Sequence, residues 1–437
     1  MPESHCWLSA SEAAKEIAAG KLTSEALARS CLERIAEREP SVAAWAYLDP
    51  SRVISQARAC DERKAKGPLH GVPIAYKDII DTADMPTAYG SRVFQGHRPS
   101  RDAECVASTK AAGAVAMGKT VTTEFAFRYP GVTSNPHNRL HTPGGSSSGS
   151  AAAVADGMVP LALGTQTAGS VIRPAAYCGV FGLKPTFNSF SFVGVSHLAE
   201  SFDTLGCMAR TLDDIALLRS VLAGCNFEDL GEGLDRAPNL AFCRTPYWEE
   251  ATPDTQELVS GAARRLASAG AKVVDLDLKH DGKALLDATW VINNVEGQRA
   301  IGGIRDRHPD GVSQAIQDLV DEGRAIGYTD YAGAMRRIDH VRQDLDRELS
   351  VFDAIITPSA VGEAPQGLDF TGPIPFNFLW TATGMPALTI PAFTGPNQLP
   401  IGLQLVARRH SDDLLLQVAR WVERRLGTLA VAGNGSL

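Results

Sequence analysis

The sequence lacks several features that would mark a specialised class of protein. No two cysteines are spaced as C-x-x-C, so neither a zinc site nor a dense disulfide framework is predicted. No stretch reaches the roughly 18 uncharged apolar residues of a membrane span, and MPESHCWLSASEAAKEIAAG has no basic segment followed by an apolar one. We therefore expect a cytoplasmic protein without a membrane anchor, with reduced and mostly buried thiols at positions 6, 31, 60, 105, 178, 207, 225 and 243.

An excess of positive charge is also missing. The chain has 42 Lys and Arg against 50 Asp and Glu, and its formal net charge of −8 argues against a general nucleic-acid binder. Its 44% hydrophobic and 21% charged residues are typical of a soluble globular protein. The 437 residues suffice for a large core, so size does not exclude an enzyme.

The apolar pattern predicts an α/β fold. Residues 9–39 have helical periodicity, with Ser9 and Glu12 as a capping box. From about residue 69, short apolar runs such as GVPIAY and GAVAMG alternate with helical stretches, as in an α/β sheet. The segments NLAFCR, TQELVSGAARRLASAG and AKVVDLDL continue the pattern as strand, helix and strand.

Repeats and charged or proline-rich linkers are absent from the sequence, which favours one continuous domain over 1–437. Within it we distinguish N-terminal helices (1–65), a core (66–225), a variable and partly helical cap (226–350), and C-terminal strands with a closing helix that complete the core (351–430). Residues 130–200 are rich in Gly and Ser, which predicts close backbone approach.

The stretch GSSSG at 145–149 matches the G-x-S-x-G nucleophile elbow with Ser147 at its centre. An elbow follows a hydrophobic strand, whereas SNPHNRLHTPG is a polar loop, and the late His340 and His410 lie in charged, exposed-looking stretches. A Ser-His-Asp triad is therefore disfavoured. A phosphate-binding loop is disfavoured too, because GGSSSGS lacks the lysine of a P-loop.

Lys77 follows the strand-like run GVPIAY, and a lysine is seldom buried without a partner. It is either an edge lysine paired with Asp78, or an amine that desolvation keeps neutral so that it can accept a proton. Serines in Gly-rich segments usually cap helices or line turns. However, the TAGS run at 167–170 would offer unobstructed N–H groups around Ser170, and a lysine of lowered pKa can activate a serine.

Three segments together are similar to the amidase signature family, and most of all to its malonamidase-like branch. They are GVPIAYKDIIDTADMPTAYGS, HTPGGSSSGSAAAVADGMVPLALGTQTAGSVIRPAAYCGVFGLKP, and the tail MPALTIPAF with LPIGLQLVAR. The resemblance covers nearly the whole chain and is weakest at 225–350. It implies a mixed, twisted central β-sheet with helices on both faces.

The resemblance also implies roles for particular residues. The family's nucleophile falls on Ser170, its bridging serine on Ser146 after a cis Gly145–Ser146 peptide bond, and its lysine on Lys77. Ser170 lies 24 residues after Ser146, which matches the family spacing. The oxyanion hole would comprise the backbone N–H groups of Thr167, Ala168, Gly169 and Ser170. This chemistry needs no metal ion and no organic cofactor.

Several positions depart from the common family pattern GTDTGGS. Gln166 and Ala168 replace an Asp and a Gly, and Arg173 follows the nucleophile by three residues rather than two. In the malonamidase-like branch this arginine grips a substrate carboxylate, whereas the alternative for Arg173 is a pair with a protein carboxylate. Thr165 is expected to support the nucleophile by hydrogen bonding, and Phe127 and Tyr129 to wall the substrate pocket.

The function implied is hydrolysis of linear amides or anilides. The same acyl-enzyme chemistry would also serve for esters and for aryl carbamates, the latter being a urethanase activity. The alternative is the glutamine-amidase subunit of a tRNA-dependent amidotransferase, which the displaced Arg173 disfavours. A regulatory pseudoenzyme is a third candidate, disfavoured because Lys77, Ser146 and Ser170 are all present. The expected partner is a small-molecule amide or carbamate, not nucleic acid or a membrane, and a homodimer is left open.

Overall fold

The computed structural model describes residues 4–63, 67–227, 229–278 and 280–429. A mixed sheet of 11 strands runs through these residues. The strands are β1 Trp45–Leu48, β2 Pro73–Lys77, β3 Val115–Thr120, β4 Leu161–Gln166, β5 Phe181–Lys184, β6 Thr204–Ala209, β7 Asn239–Cys243, β8 Lys272–Leu276, β9 Ala354–Pro358, β10 Ala387–Thr394 and β11 Pro400–Val406.

The same residues form 13 α-helices. Those of the first half are α1 Ala10–Ala18, α2 Ser24–Val42, α3 Pro50–Asp61, α4 Glu104–Ala111, α5 Ser148–Ala155, α6 Ile172–Cys178 and α7 Leu212–Ala223. Those of the second half are α8 Pro253–Ser268, α9 Gly282–Arg307, α10 Gln314–Ala325, α11 Tyr328–Glu348, α12 Phe378–Ala382 and α13 Asp412–Leu426.

The strand order in the sheet is β1-β3-β2-β4-β6-β5-β10-β11-β9-β7-β8. Strand β2 is parallel to both its neighbours, β3 and β4, while β6 is antiparallel to β4 and to β5. Because β2 and β4 are parallel and adjacent, their carboxyl ends lie at the same edge of the sheet. Lys77 ends β2, and the segment with Ser170 follows β4, so the topology brings these two positions to one edge.

Alternate residues of each strand pack into different cores. Ile74 and Tyr76 of β2 join a core with α4, α7, α8 and α13, whereas Ala75 joins the opposite core with α2, α3, α5 and α6. Further along the sheet, a third core packs α9, α11 and α12 on the side of β9–β11 that faces away from the first. Helices therefore cover both faces, and the predicted mixed α/β fold is confirmed.

The sequence-based boundaries need three corrections. The region 9–39 is two helices rather than one, α1 with its Ser9–Glu12 capping box and α2, separated near Gly20. The segment 1–65 also supplies β1, which pairs antiparallel with β3. Strands β5 and β6 were not predicted, because their burial pattern is set by long-range neighbours rather than by local alternation.

Other expectations agree with the structure. Residues 281–350 are mainly helical, as predicted, and form α9, α10 and α11. The cysteines are free thiols, and all but Cys60 and Cys225 are buried. Within the residues described, none of the helices combines the length and the apolar character needed to cross a bilayer.

Candidate active site

Lys77 is fully buried at the carboxyl end of the inner strand β2. Its Nζ lies 2.6 Å from Ser146 Oγ, 2.8 Å from Thr165 Oγ1 and 3.5 Å from the Thr165 carbonyl oxygen. These partners are all uncharged. Asp78, the partner expected for an edge lysine, lies 3.3 Å from Lys119 instead. The interpretation of Lys77 as an edge lysine paired with Asp78 is therefore wrong.

Burial lowers the pKa of Lys77 to about 7, although the negative charge of Asp203 opposes this shift. Desolvation disfavours the ammonium form, and neutral hydroxyl partners do not restore its stability as a carboxylate would. Near neutral pH a substantial fraction of Lys77 is therefore a free amine. Such an amine can accept a proton from a hydroxyl group, and Ser146 Oγ is within hydrogen-bond distance of it.

A second lysine, Lys184, is buried to the same extent, and burial lowers its pKa to about 7 as well. Its Nζ donates to the Pro185 carbonyl at 2.9 Å, and it does not line the cavity described below. The unfolded chain binds a proton on this lysine below pH 10.5, while the folded chain binds it only below about 7. Lys184 thus destabilises the fold fully below about pH 7 and progressively less as the pH rises towards 10.5.

Replacing Lys184 by methionine should therefore stabilise the protein at pH 7.5, by roughly 1–3 kcal/mol. The gain should shrink at pH 9.5, because removing the proton from Lys184 on folding costs less free energy as the pH approaches 10.5. Chemical denaturation of both proteins at the two pH values measures the difference. A stabilisation that is equal at both values would contradict the assigned cause.

Ser146 lies two residues before the start of α5 and follows a cis peptide bond between Gly145 and Ser146, as the resemblance implied. It is 2% exposed, and its hydroxyl bonds to Lys77. A Cβ atom on Gly145 would lie 2.7 Å from Thr371 Cγ2, so a side chain at this position would displace Thr371. The prediction of close backbone approach in the Gly/Ser-rich region is confirmed here.

Ser170 lies in the turn between β4 and α6, together with Thr167, Ala168 and Gly169. Among the hydrogen bonds of the described residues outside regular helices and strands, none is donated by the N–H groups of Ala168, Gly169 or Ser170. All four residues line one cavity. N–H groups without a partner, in residues that line a cavity, are the kind of donor from which an oxyanion hole can be built.

Gln166 holds this turn in shape. Its Oε1 accepts from the N–H groups of Val171 and Ile172 at 2.8 and 3.0 Å, and its Nε2 donates to Thr381 Oγ1 at 2.9 Å. Thr381 in turn lies 2.7 Å from the Ala168 carbonyl. The glutamine that departs from the common family pattern thus stabilises the turn that contains Ser170.

The cavity has a volume of about 500 Å³ and opens onto both serines. Ser146 and Ser170 line it, but no direct hydrogen bond joins their hydroxyl groups within the described part of the chain. The walls are mostly apolar, and the residues that form them come from distant segments: Phe127, Leu198, Leu286, Trp290, Ile374 and Phe378. This is the size and character of a site for a small organic molecule.

Arg173 lines the same cavity and is 5% exposed. Its guanidinium donates to the carbonyl oxygens of Gly372 and Gly145 at 2.5 and 2.6 Å and to Thr371 Oγ1 at 3.1 Å, while its Nε has no partner. Burial lowers its pKa to about 10. No carboxylate of the described residues forms an ion pair with it, so the alternative of a protein carboxylate partner is not observed.

Of the remaining predicted site residues, some lie where they were expected and others do not. Phe127 lines the cavity, but Tyr129 is 57% exposed and lies outside its lining, so placing Tyr129 in the pocket wall was wrong. Thr165 hydrogen-bonds to Lys77 and not to Ser170, so its support of the nucleophile is not direct. Ser147 is buried, and its Oγ accepts from the Thr165 N–H at 3.2 Å, which fits a structural role and not a nucleophile elbow.

Sequence reasoning missed several residues of the site. Arg128 lines the cavity with its guanidinium 4.4 Å from the Trp290 ring centroid and 5.2 Å from that of Phe127. Asp203 accepts a hydrogen bond from Thr167 Oγ1 at 2.5 Å. Arg128 adjoins the predicted Phe127 and could have been found by that proximity, whereas nothing local distinguishes Asp203 or Trp290.

Comparisons with known proteins agree with this architecture. The sequence model of the amidase family matches residues 26–416. The chain is 33% identical over 477 residues to one of the subunits of glutamyl-tRNA(Gln) amidotransferase from Chloroflexus aggregans, and the alignment covers 97% of each chain.

Solved structures give the same result. The native peptide amidase of Stenotrophomonas maltophilia is 27% identical with a TM-score of 0.84, over 98% of this chain and 99% of that one. A crystal structure described as an amidase is also 27% identical, with a TM-score of 0.88 over 96% of this chain and 100% of that one. The fold is thus that of the amidase signature enzymes. The chain belongs to the amidase signature family, and it is a hydrolase of C–N bonds.

Proposed function

We propose that the protein hydrolyses linear amides or anilides through an acyl-enzyme on Ser170, with Ser146 and Lys77 as the proton relay. The observation that carries this proposal is the buried amine of Lys77, hydrogen-bonded to Ser146 Oγ at 2.6 Å and to no carboxylate among the described residues. A buried lysine held by hydroxyl groups alone is suited to accept a proton near neutral pH.

In the proposed first step, Ser170 Oγ attacks the carbonyl carbon of the substrate. The Ser170 proton passes to Ser146 Oγ as the Ser146 proton passes to Lys77 Nζ, so the lysine becomes an ammonium. The substrate oxygen, now negative, is stabilised by the N–H groups of Thr167, Ala168, Gly169 and Ser170, which line the cavity. No base other than Lys77 is required.

In the following steps, the proton on Lys77 returns through Ser146 to the leaving nitrogen, the C–N bond breaks and the amine departs. Water then attacks the Ser170 ester, giving its proton to Lys77 by the same route. Collapse of the second tetrahedral intermediate releases the acid and restores the Ser170 hydroxyl. Esters and aryl carbamates follow the same steps, and the apolar walls around Phe127 and Trp290 support an aryl group as one end of the substrate.

A second candidate is the glutamine-amidase subunit of a tRNA-dependent amidotransferase. It is favoured by the 33% identity, over 97% of each chain, to a relative that bears the name of one component of such an enzyme. That function would need partner subunits, whereas the first candidate works with the protein alone. The two proposals therefore differ in a simple assay.

The test uses the purified protein alone with an acyl p-nitroanilide, an aryl carbamate, glutamine and malonamate, with the rate of product release measured for each. Cleavage of at least one of the non-glutamine substrates supports the amidase. Activity confined to glutamine and dependent on added partner subunits would replace it with the second candidate.

Arg173 allows a finer prediction about the substrate. If its guanidinium binds a substrate carboxylate, Arg173→Lys should raise the KM for malonamate by about 10–100-fold, because a charged hydrogen bond contributes roughly 1.5–3 kcal/mol. The KM for the neutral anilide should change much less. The contacts of Arg173 with Gly145 and Gly372 should affect the KM for both substrates equally. Comparing the two KM values therefore separates the effect of those contacts from carboxylate binding.

Wild-type protein that cleaves the anilide or the carbamate but leaves malonamate intact would rule out the carboxylate role. An equal change in KM for both substrates in Arg173→Lys would also count against it, because the residue would then act by holding the cavity wall.

A further inference from the structure

A second cavity, of about 780 Å³, adjoins the first. Leu198 lines both cavities. Asp203 lines the second cavity, and its hydrogen-bond partner Thr167 lines the first. The linings of the two cavities therefore share one side chain and are joined by one hydrogen bond.

Asp203 is 5% exposed and uses both of its carboxylate oxygens. Oδ1 accepts from Thr167 Oγ1 at 2.5 Å. Oδ2 accepts from the N–H groups of Leu198 and Ala199 at 2.8 and 3.1 Å, and lies 3.2 Å from His197 Nδ1. One buried carboxylate thus joins the first residue of the Ser170 turn to a histidine in the second cavity.

His197 is partly open to solvent, with 40% of its side chain exposed. Its ring packs against Phe192 with 4.6 Å between ring centroids. The other titratable or charged groups that line the same cavity are Glu200, Asp203, Glu296, Arg299 and Tyr331. The hydrogen bond with Asp203 and the nearby carboxylates raise the pKa of His197, since they stabilise the imidazolium.

We propose that Asp203 is a positioning residue for the reaction, which holds the Ser170 turn through Thr167 and whose charge is balanced by His197 from the second cavity. The proposal rests on the proposed role of Lys77 as the base. It adds that Asp203 and His197, neither of which lines the substrate cavity, influence the protonation state of that base.

The physical link to Lys77 is electrostatic. The negative charge of Asp203 raises the pKa of Lys77, against the effect of burial. A protonated His197 beside Asp203 offsets part of that negative charge, which keeps Lys77 easier to deprotonate. Removing the histidine and removing the carboxylate should therefore shift the pKa of Lys77 in opposite directions.

The test compares His197→Gln and Asp203→Asn with wild type, by the pH dependence of kcat/KM on the acyl p-nitroanilide. In His197→Gln the acid limb of the profile should move up by roughly half a unit to one unit, because Asp203 loses its counter-charge. In Asp203→Asn the limb should move down by a similar amount, while kcat falls about tenfold or more and KM changes little, since the turn loses its anchor.

A matched control is His340→Gln. His340 also faces an aspartate, with its Nε2 3.3 Å from Asp344, but it lies on α11 with 73% of its side chain exposed. This variant should not shift the pH dependence of kcat/KM. If Asp203→Asn does not fold, His197→Gln, at a partly exposed position, still decides the outcome by the direction in which it shifts the acid limb.

A readout that needs no substrate keeps this inference separate from the proposed function. In protein labelled with ¹³C at lysine Cε, the Lys77 signal is identified by its loss in Lys77→Met, and its titration gives the pKa directly. Opposite shifts of that pKa in the two variants support the role of Asp203 even if no tested amide is cleaved. Unchanged pKa values, or shifts of the same sign, would overturn it.

Discussion

Replacing Ser170 by alanine is expected to lower kcat for the acyl p-nitroanilide by at least about 10⁴-fold, because no acyl-enzyme can then form. The N–H groups of the turn would remain, so a small residual rate above the uncatalysed reaction is expected. Substrate binding should change little, since the cavity walls are untouched. A fluorophosphonate reagent should add to one serine of the wild type, seen by intact mass, and not to the variant.

The matched control for this prediction is Ser148→Ala. Ser148 belongs to the same serine-rich stretch and is buried, but its Oγ donates to the Val121 carbonyl at 3.2 Å and it does not line the cavity. This variant should keep its activity and lose about 1 kcal/mol of stability. Labelling and turnover that persist in Ser170→Ala would remove Ser170 as the nucleophile.

Replacing Lys77 by methionine should lower kcat/KM by about 10³–10⁴-fold, since methionine fills similar space but cannot accept a proton. In the wild type, the lysine is charged below its pKa of about 7 and cannot act as a base. The rate should therefore rise with pH through about 7 and level off above it. Steady-state kinetics between pH 5.5 and pH 9, at roughly half-unit intervals, follow this limb.

Lys184→Met serves as the control, because Lys184 is an equally buried lysine with a pKa also lowered to about 7. It lies outside the cavity lining, so its loss should leave the acid limb unchanged. If the limb vanished in Lys184→Met and persisted in the residual activity of Lys77→Met, the base would not be Lys77.

The parts of the site that the sequence predicted are those encoded in short, contiguous motifs. Lys77 follows an apolar run typical of a buried strand, and Ser146 and Ser170 lie in a stretch that is poor in large side chains. Each motif can be recognised from its own segment, although the partners that Lys77 contacts, Ser146 and Thr165, follow it by 69 and 88 residues. The strand ends and tight turns that position these residues are local structures, which local sequence determines.

The parts that could not be predicted depend on contacts between distant segments. Arg173 is held by Thr371 and Gly372, nearly 200 residues away along the chain, and Asp203 bonds to Thr167 across a strand pair. Nothing around Asp203 in the sequence indicates that partner. The exposure of Tyr129 has the same origin, since the direction of a loop side chain depends on what packs beneath it.

The sheet order carries a consequence for how new specificities arise in this fold. Lys77 ends one inner strand and Ser170 lies in the turn that follows the adjacent strand, so two hydrogen-bonded neighbouring strands bring the two residues together. Much of the cavity wall comes instead from helix α9 and the segment 369–375, which lie apart from those strands in the chain. Mutations in those segments can therefore reshape the pocket while the separation of Lys77 and Ser170 stays constant.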